Sequence, residues 1–193
     1  MISPDIRVLL VDNYDSFTYN ISHIVRNYPG TNLQIVHAGD LRPEEPESFD
    51  KIIFSPGPDY PKPGNIMERI LSSYAGKKPV LGICLGFQAI CLFFGGRLKQ
   101  LAEPVHGKTM VIGKTGSYSR VLSGIPESFK AGLYHSWIVD PDYLPDCLTV
   151  TSETKDGRIM SIRHKQYDIE AVQFHPESVM TPLGARMIDS WLA

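Results

Sequence analysis

Short apolar runs alternate with helix-like segments through the first half of this chain, and that alternation constrains the fold more than any other feature. Buried strands are predicted at residues 6–11, 33–37, 51–54 and 79–83. Helices are predicted at residues 15–28, 66–74 and 87–94. Because each helix carries the chain back to the edge where the previous strand began, successive strands pair in parallel. We therefore expect an α/β fold with a mostly parallel central sheet flanked by helices.

The second half of the chain has a different pattern. Strand-like runs are predicted at residues 109–112, 119–122, 148–152, 159–164 and 169–174, and a closing helix at residues 182–192. No helical segment separates these runs, so they predict hairpins that add an antiparallel or mixed portion to the sheet. A chain of 193 residues without internal repeats or a linker fits one domain, residues 1–193.

The composition limits the classes of function. The formal net charge is −2 and 42% of the residues are hydrophobic, which favours a folded domain and provides no basic surface for nucleic acid. No apolar stretch approaches the ~18 residues of a membrane span, and no signal peptide is apparent at the N-terminus. The three cysteines have no close-paired spacing and predict free thiols. We expect a cytoplasmic protein that binds neither nucleic acid nor membranes.

Cys84 lies at the centre of a Gly-x-Cys-x-Gly sequence, where a predicted strand meets a predicted helix. Sites in parallel sheets form at the carboxyl ends of strands. A sharp turn from strand to helix places its central residue at the apex, and Gly82 and Gly86 leave room for that turn. The free N–H groups and the dipole of the following helix favour a thiolate. Cys84 is therefore the predicted nucleophile, whereas Cys91 in an apolar helix is predicted to be structural.

A nucleophilic cysteine needs a base, and His175 is the best candidate among six histidines. It directly follows the last predicted apolar strand, and Pro176 stiffens the exit from that strand. Glu177 lies two residues later, on the same side of an extended segment. A carboxylate there accepts the Nδ1–H of His175, so that Nε2 faces the sulfur. Cys84, His175 and Glu177 are the predicted catalytic triad.

Attack on a carbonyl creates an oxyanion, which requires preorganised hydrogen-bond donors. The backbone N–H of Leu85, next to the nucleophile, is one predicted donor. The loop SPGPD at residues 55–59 follows the third predicted strand and offers the N–H of Gly57, which Pro56 and Pro58 hold in a rigid turn.

Three of these motifs together, GICLGFQ, SPGPD and FHPES, resemble the class I, triad-type glutamine amidotransferases. Four further motifs are similar to the small amidotransferase components of anthranilate synthase and aminodeoxychorismate synthase. These are VDNYDSFTYN at residues 11–20, HGK at 106–108, YHSW at 134–137 and HPESVMT at 175–181. The similarity runs in order through nearly the whole chain.

The resemblance implies a reaction and a role for each triad residue. Cys84 attacks the side-chain amide of L-glutamine, His175 protonates the departing ammonia, and Glu177 orients His175. A γ-glutamyl thioester then remains on the enzyme, and water hydrolyses it to glutamate. The resemblance implies no metal and no cofactor in this chain.

The resemblance also implies a glutamine-binding set: Gly57, Pro58, Asp59, Leu85, Gln88, Ser136 and Trp137. The sequence departs from the family pattern at three positions. Asp59 stands where glycine is usual, Phe87 replaces a frequent histidine, and Trp137 replaces a frequent leucine. If position 59 needs a positive φ, aspartate tolerates it better than most residues. The contact at Trp137 is expected through the backbone.

No second domain that would use the ammonia is apparent in this sequence. The resemblance therefore implies a heteromeric complex with a larger synthase subunit that binds chorismate and Mg²⁺. The segment DNYDSFTYN, residues 12–20, is a plausible contact surface for that partner, because it carries three aromatic side chains beside the expected site.

Alternatives stay open at this point. The partner makes either anthranilate or aminodeoxychorismate, and the sequence does not separate the two. A stand-alone cysteine hydrolase of γ-glutamyl compounds shares the turn at Cys84, and a regulatory module without activity would bind the synthase only. His106 and Lys108 have no assigned role. A metal cluster of His106, His135 and His175 would need these side chains to converge.

Overall fold

A computed structural model describes residues 5–193. Its strands are β1 (Ile6–Asp12), β2 (Thr31–His37), β3 (Lys51–Phe54), β4 (Val80–Ile83), β5 (Leu98–Lys114), β6 (Ser128–Val139), β7 (Leu148–Thr154), β8 (Ile159–His164) and β9 (Ile169–Val172). Its α-helices are α1 (Thr18–Asn27), α2 (Ile66–Tyr74), α3 (Leu85–Phe93) and α4 (Gly184–Leu192). Short 3₁₀ turns lie at Glu45–Ser48 and Pro141–Tyr143.

The strands form one nine-stranded sheet in the order β2-β1-β3-β4-β9-β8-β7-β5-β6. The β2, β1, β3, β4 and β9 strands pair in parallel. From β9 onward through β8, β7, β5 and β6, every pairing is antiparallel. The predicted α/β fold, with a parallel sheet extended by an antiparallel portion, is confirmed. Strand β9 belongs to both portions and lies next to β4.

Helices cover both faces of the parallel half. On one face α1 and α4 pack against the sheet through buried side chains such as Ile21, Val25 and Trp191. On the other face α2 and α3 contribute Ile70 and Ile90 to a second apolar cluster. Because both faces are covered, the central strands are apolar on both sides, as β3 and β4 show. The carboxyl ends of these strands therefore share one edge of a rigid layer.

Two predictions about the second half are wrong. Residues 119–122 form a turn and not a strand, because the buried Glu170 carboxylate accepts hydrogen bonds from the Ser119 hydroxyl and the N–H groups of Arg120 and Val121. Strand β6 is not predicted by the sequence, because Gly132, His135 and Ser136 interrupt its apolar pattern. Its 12 residues pair instead with the 17-residue β5, which extends well beyond the predicted residues 109–112.

The start of α1 also differs from the prediction. The predicted helix begins at residue 15, but α1 begins at Thr18 after Phe17, and no side chain caps it. The Asp15 carboxylate accepts instead from the N–H of Phe17 at 2.8 Å. This short turn leaves the Phe17 side chain free to point toward the carboxyl edge of the sheet.

The predicted domain covers residues 1–193, but residues 1–4 lie outside the described residues. The N-terminal segment in which no signal peptide is predicted also begins outside the described residues. Within residues 5–193, no helix is both long enough and apolar enough to cross a membrane. The exact domain limits stay a prediction.

Candidate active site

Cys84 occupies a strained turn between β4 and α3. Its φ is 52° and its ψ is −97°, a conformation that L-residues rarely adopt. Strain of this kind costs on the order of 1–3 kcal/mol and persists only where neighbouring structure enforces it. The N–H of Cys84 donates to the Val172 carbonyl at 2.8 Å, and the Cys84 carbonyl accepts from the N–H of Gln88 at 3.1 Å. The turn therefore joins β4, β9 and the first turn of α3.

The glycines on either side of Cys84 are required by close packing. A Cβ at Gly82 would lie 2.7 Å from the backbone of Gly86, and a Cβ at Gly86 would lie 2.7 Å from the carbonyl oxygen of Phe54. Contacts this short do not occur for real Cβ atoms, so the backbone would have to move. The predicted turn with Cys84 at its apex is present, and α3 begins directly after it.

The two buried cysteines, Cys84 and Cys91, lie at different positions relative to α3 and have different surroundings. Cys91 lies inside α3 and is fully buried in the apolar cluster below the sheet. Burial, with a smaller contribution from the charge of Cys147, raises the pKa of Cys91 to about 12. Because only a thiolate is an effective nucleophile, Cys91 is inert at neutral pH.

His175 lies just beyond β9, and the backbone holds it firmly. Its N–H donates to the carbonyl of Gly132 at 3.0 Å, and its carbonyl accepts from the Thr181 hydroxyl at 2.6 Å. The same hydroxyl accepts from the N–H of Gly132 at 3.0 Å. The segment HPESVMT, residues 175–181, is therefore attached to Gly132 on β6.

The pair of His175 and Glu177 is present and buried. The Nδ1 atom of His175 lies 2.6 Å from Oε1 of Glu177, and both side chains are almost wholly inaccessible. The Nε2 atom of His175 has no hydrogen-bond partner among residues 5–193. Since Nδ1 is engaged by a carboxylate, Nε2 is the nitrogen available to a substrate or to the sulfur.

Two opposing effects set the charge of His175. Burial lowers its pKa, but attraction to the Cys84 sulfur and the hydrogen bond and charge of Glu177 outweigh burial. The pKa of His175 is therefore raised well above its ordinary value of 6.5. An imidazolium held beside a sulfur stabilises the thiolate, as a nucleophile requires.

Two aromatic side chains, which the sequence analysis does not assign to the site, contact the His175 ring. The ring centroids of Tyr134 and Phe17 lie 4.9 and 5.8 Å from that of His175, both in edge-on arrangements. The Tyr134 hydroxyl also shares a hydrogen bond with Ser178 at 3.0 Å. These rings limit the orientations of the imidazole. Phe17 brings the predicted contact segment, residues 12–20, against the catalytic candidates.

The Asp12 carboxylate, at the end of β1, fixes the loop that carries Phe17. Its Oδ1 accepts from the N–H of Tyr14 at 2.9 Å and from the Thr18 hydroxyl at 2.8 Å. Its Oδ2 lies 3.1 Å from Nδ1 of His37. Tyr14 adopts a positive φ of 64°, stacks on the His37 ring and stays 62% exposed. The loop is therefore rigid near Asp12 and displays an aromatic ring to solvent.

A cavity of about 320 Å³ opens at Cys84. Its lining consists of Gly57, Pro58, Asp59, Cys84, Gln88, Gln100, His106, Tyr134, His135, Ser136 and Trp137. This set includes every predicted glutamine-binding residue except Leu85, which follows Cys84 directly. Gln100, Tyr134 and His135 are not predicted, because β5 and β6 bring them to the cavity from a long hairpin whose register a single sequence does not reveal.

The loop at residues 55–59 lies next to the turn at Cys84. A Cβ at Gly57 would lie 2.6 Å from Cδ2 of Leu85 and 2.8 Å from the Asn13 carbonyl oxygen, so only glycine fits. Neither Gly57 nor Leu85 donates its backbone N–H to an acceptor among residues 5–193. Two unengaged donors beside Cys84 match the requirement for an oxyanion site.

Asp59 adopts a positive φ of 66°, which explains why glycine is usual at this position in the family that the motifs resemble. Aspartate is among the residues that enter this region most readily, so the loop keeps its shape. The neighbouring Tyr60 ring packs edge-on against Trp137, with centroids 5.0 Å apart. Asp59 and Trp137, which stand where glycine and leucine are usual, therefore both line the cavity without closing it.

The histidines do not make a metal site. Within residues 5–193 no cluster of three or more histidine, cysteine, aspartate or glutamate side chains has the spacing for a metal ion. His135 is buried, and its Nδ1 lies 3.1 Å from the Trp137 carbonyl oxygen. Since that oxygen only accepts, Nδ1 carries the proton. Burial lowers the pKa of His135 to about 4, so its ring is neutral at pH 7.

Comparison with known proteins identifies the family. A family model described as glutamine amidotransferase class-I matches residues 9–193. The chain belongs to this family. The resemblance inferred from the motifs is thereby confirmed, as is the enzyme class.

The amidotransferase has close relatives over nearly its full length. Aminodeoxychorismate/anthranilate synthase component 2 of Bacillus subtilis is 40% identical over 187 residues, which cover 96% of this chain and 95% of that protein. Anthranilate synthase component 2 of Lactococcus lactis is also 40% identical over 187 residues, covering 96% and 93%. A solved structure of a candidate GMP synthase subunit from Thermoplasma acidophilum superposes with a TM-score of 0.85 at 24% identity, covering 97% and 92%. That structure confirms the fold of the amidotransferase.

The role of Glu177 in this amidotransferase is testable by titration. In Glu177→Gln the amide still accepts from Nδ1 but carries no charge, so the pKa of His175 should fall. The folded-state pKa is raised by the carboxylate, and His175 should therefore lose its proton at lower pH in the variant than in the parent. NMR titration of the histidine ring nitrogens measures this change, with exposed His23 as the internal control. An unchanged His175 titration would contradict the assigned role.

Proposed function

We propose that this chain is a glutaminase subunit that hydrolyses L-glutamine and delivers ammonia to a larger, chorismate-using synthase, in the first place anthranilate synthase. The observation that carries the proposal is the juxtaposition of a strained cysteine turn, a buried histidine–carboxylate pair and a cavity of about 320 Å³. Family membership supports the same class of reaction.

The proposed reaction begins with the Cys84 thiolate, whose sulfur attacks the side-chain carbonyl carbon of glutamine. The N–H groups of Gly57 and Leu85 donate hydrogen bonds to the carbonyl oxygen as negative charge develops on it. The C–N bond breaks as the His175 imidazolium gives its proton to the leaving nitrogen, which departs as ammonia. His175, now neutral, takes a proton from water, and the resulting hydroxide attacks the thioester. Glutamate leaves and the thiolate is restored.

The rest of the cavity is proposed to hold the amino-acid end of glutamine. Ser136, Trp137 and residues 57–59 line the cavity that opens at Cys84. Gln88 projects from α3 one turn beyond the nucleophile, and its Nε2 is bound to the Trp137 carbonyl at 3.0 Å. Its Oε1 is then left to accept a hydrogen bond from the substrate.

We propose that the chain uses no metal or cofactor of its own and that Mg²⁺ acts on the larger synthase. The mechanism above supports this, because each proton and each charge has a partner among the side chains and backbone groups of the cavity. The three free cysteines fit a reducing compartment, and we propose that the protein acts in the cytoplasm.

The names of the relatives support both pathway assignments. The Bacillus subtilis relative is named for aminodeoxychorismate and anthranilate synthase together, and the Lactococcus lactis relative is named for anthranilate synthase alone. We therefore propose anthranilate synthase as the principal assignment and aminodeoxychorismate synthase as the alternative. A synthase docked over the cavity would meet the exposed Tyr14 and Tyr19, which are 62% and 68% exposed.

Variants at Cys84 test the reaction. Cys84→Ser should lower glutamine hydrolysis by more than about 1000-fold, because a hydroxyl at this position lacks the acidity of a thiol. Labelling by a diazo-ketone analogue of glutamine should disappear in the same variant. Cys147→Ser is the matched control, since Cys147 lies away from the cavity, and it should keep both activities. Persistent labelling of Cys84→Ser would refute a thiol nucleophile at this position.

The partner is identified by co-purification from the native cell. We expect the chain to bring down a chorismate-using synthase and the complex to convert chorismate and glutamine to anthranilate. Formation of aminodeoxychorismate alone would establish the alternative pathway. If the isolated chain hydrolysed γ-glutamyl peptides as fast as glutamine and no synthase changed its rate, a stand-alone hydrolase would be the correct description.

A further inference from the structure

A buried chain of hydrogen bonds connects the far wall of the cavity to the nucleophile. Gln88 Nε2 donates to the Trp137 carbonyl at 3.0 Å and also to Oε1 of Gln173 at 3.2 Å. Gln173 Nε2 in turn lies 3.5 Å from the sulfur of Cys84. Gln173 is fully buried, and Gln88 has an exposed fraction of only 3%. Both side chains are therefore almost entirely enclosed by protein.

The donor and the acceptor of each hydrogen bond in this series follow from the Trp137 carbonyl. The Trp137 carbonyl oxygen only accepts, so the end of the Gln88 amide that faces it must be the NH₂ group. That NH₂ group also faces Gln173, whose nearer atom must therefore be oxygen. The remaining end of the Gln173 amide, which faces Cys84, is then the NH₂ group. The sulfur therefore faces a hydrogen-bond donor.

We propose that Gln173 is a positioning residue that donates a hydrogen bond to the Cys84 sulfur and so favours the thiolate over the thiol. A thiolate accepts hydrogen bonds strongly, whereas the sulfur of a thiol is only a weak acceptor, so a donor that faces the sulfur stabilises the thiolate more than the thiol. The inference rests on the proposed function only in taking Cys84 as the nucleophile.

The position of Gln173 in the fold suits this role. Its N–H continues the sheet by donating to the Met160 carbonyl at 2.8 Å, so its backbone is fixed. It lies two residues before His175, in the bend that directly follows β9. One strand end thus presents an amide donor and an imidazolium to the same sulfur, from two positions that move together.

The chain of bonds also links substrate binding to the nucleophile. With both hydrogens of the Gln88 NH₂ group engaged, the orientation of its amide is fixed before glutamine arrives. The same bonds hold the Gln173 amide against rotation. The cavity wall that receives the substrate and the group that stabilises the thiolate are therefore one preorganised unit.

The experiment measures alkylation of Cys84 by iodoacetamide in the isolated full chain, without glutamine, from pH 5 to pH 10, with site-resolved mass spectrometry. In Gln173→Met, which is similar in length but donates no hydrogen bond, alkylation at pH 7 should be about 10-fold slower, because a hydrogen bond to a charged group is lost. The midpoint of the alkylation profile should move to higher pH. The matched control is Gln166→Met, at an exposed glutamine that does not line the cavity, and it should alkylate within about 3-fold of the parent.

Cys91 reports on folding in the same measurement, since it is fully buried and is labelled only if the domain opens. If Gln173→Met exposes Cys91, Gln173→Asn is the variant to measure, because its shorter amide does not reach the sulfur. The midpoint of its Cys84 alkylation profile should then also move to higher pH. An alkylation profile that is unchanged in a variant with protected Cys91 would overturn the proposal. Glutamine is absent throughout, so this outcome is distinct from a failure of the proposed glutaminase reaction.

Discussion

The backbone of Cys84 is held at a positive φ between two glycines, and the arrangement of the rest of the site depends on that turn. The strain is maintained by close packing: the turn touches the Phe54 carbonyl on β3 through Gly86 and hydrogen-bonds to Val172 on β9. A larger residue at Gly82 or Gly86 would separate these strands. The sulfur thus lines the cavity because the packing of the surrounding strands holds this strained turn in place.

The two halves of the sheet supply different parts of the site, and they meet at β9. The parallel half supplies the sulfur at the end of β4, and the antiparallel half supplies the cavity wall on β5 and β6. Strand β9 pairs with both halves and delivers His175 to the sulfur, while the His175 N–H binds Gly132 on β6. Cys84 and His175, which lie far apart in sequence, are therefore brought to the same site by the pairing of β9 with β4 and by the bond from His175 to β6.

The sequence predicts those parts of the site that depend on local patterns. The turn at Cys84 and the spacing of His175 and Glu177 are short motifs whose geometry is nearly determined by the residues themselves. Gln173, Tyr134 and Phe17 depend on strand register and on a loop held by Asp12, and no local pattern reveals such contacts. The turn at residues 119–122 escapes prediction for the same reason, since its cause is a carboxylate 50 residues away, at Glu170.

The most direct test of the central claim is mass spectrometry of the enzyme quenched in acid during turnover of isotopically labelled glutamine. The account predicts a γ-glutamyl group attached through a thioester to the peptide that contains Cys84, formed and consumed at the rate of ammonia release. Ammonia release without that adduct, or a γ-glutamyl group on any other residue, would contradict it.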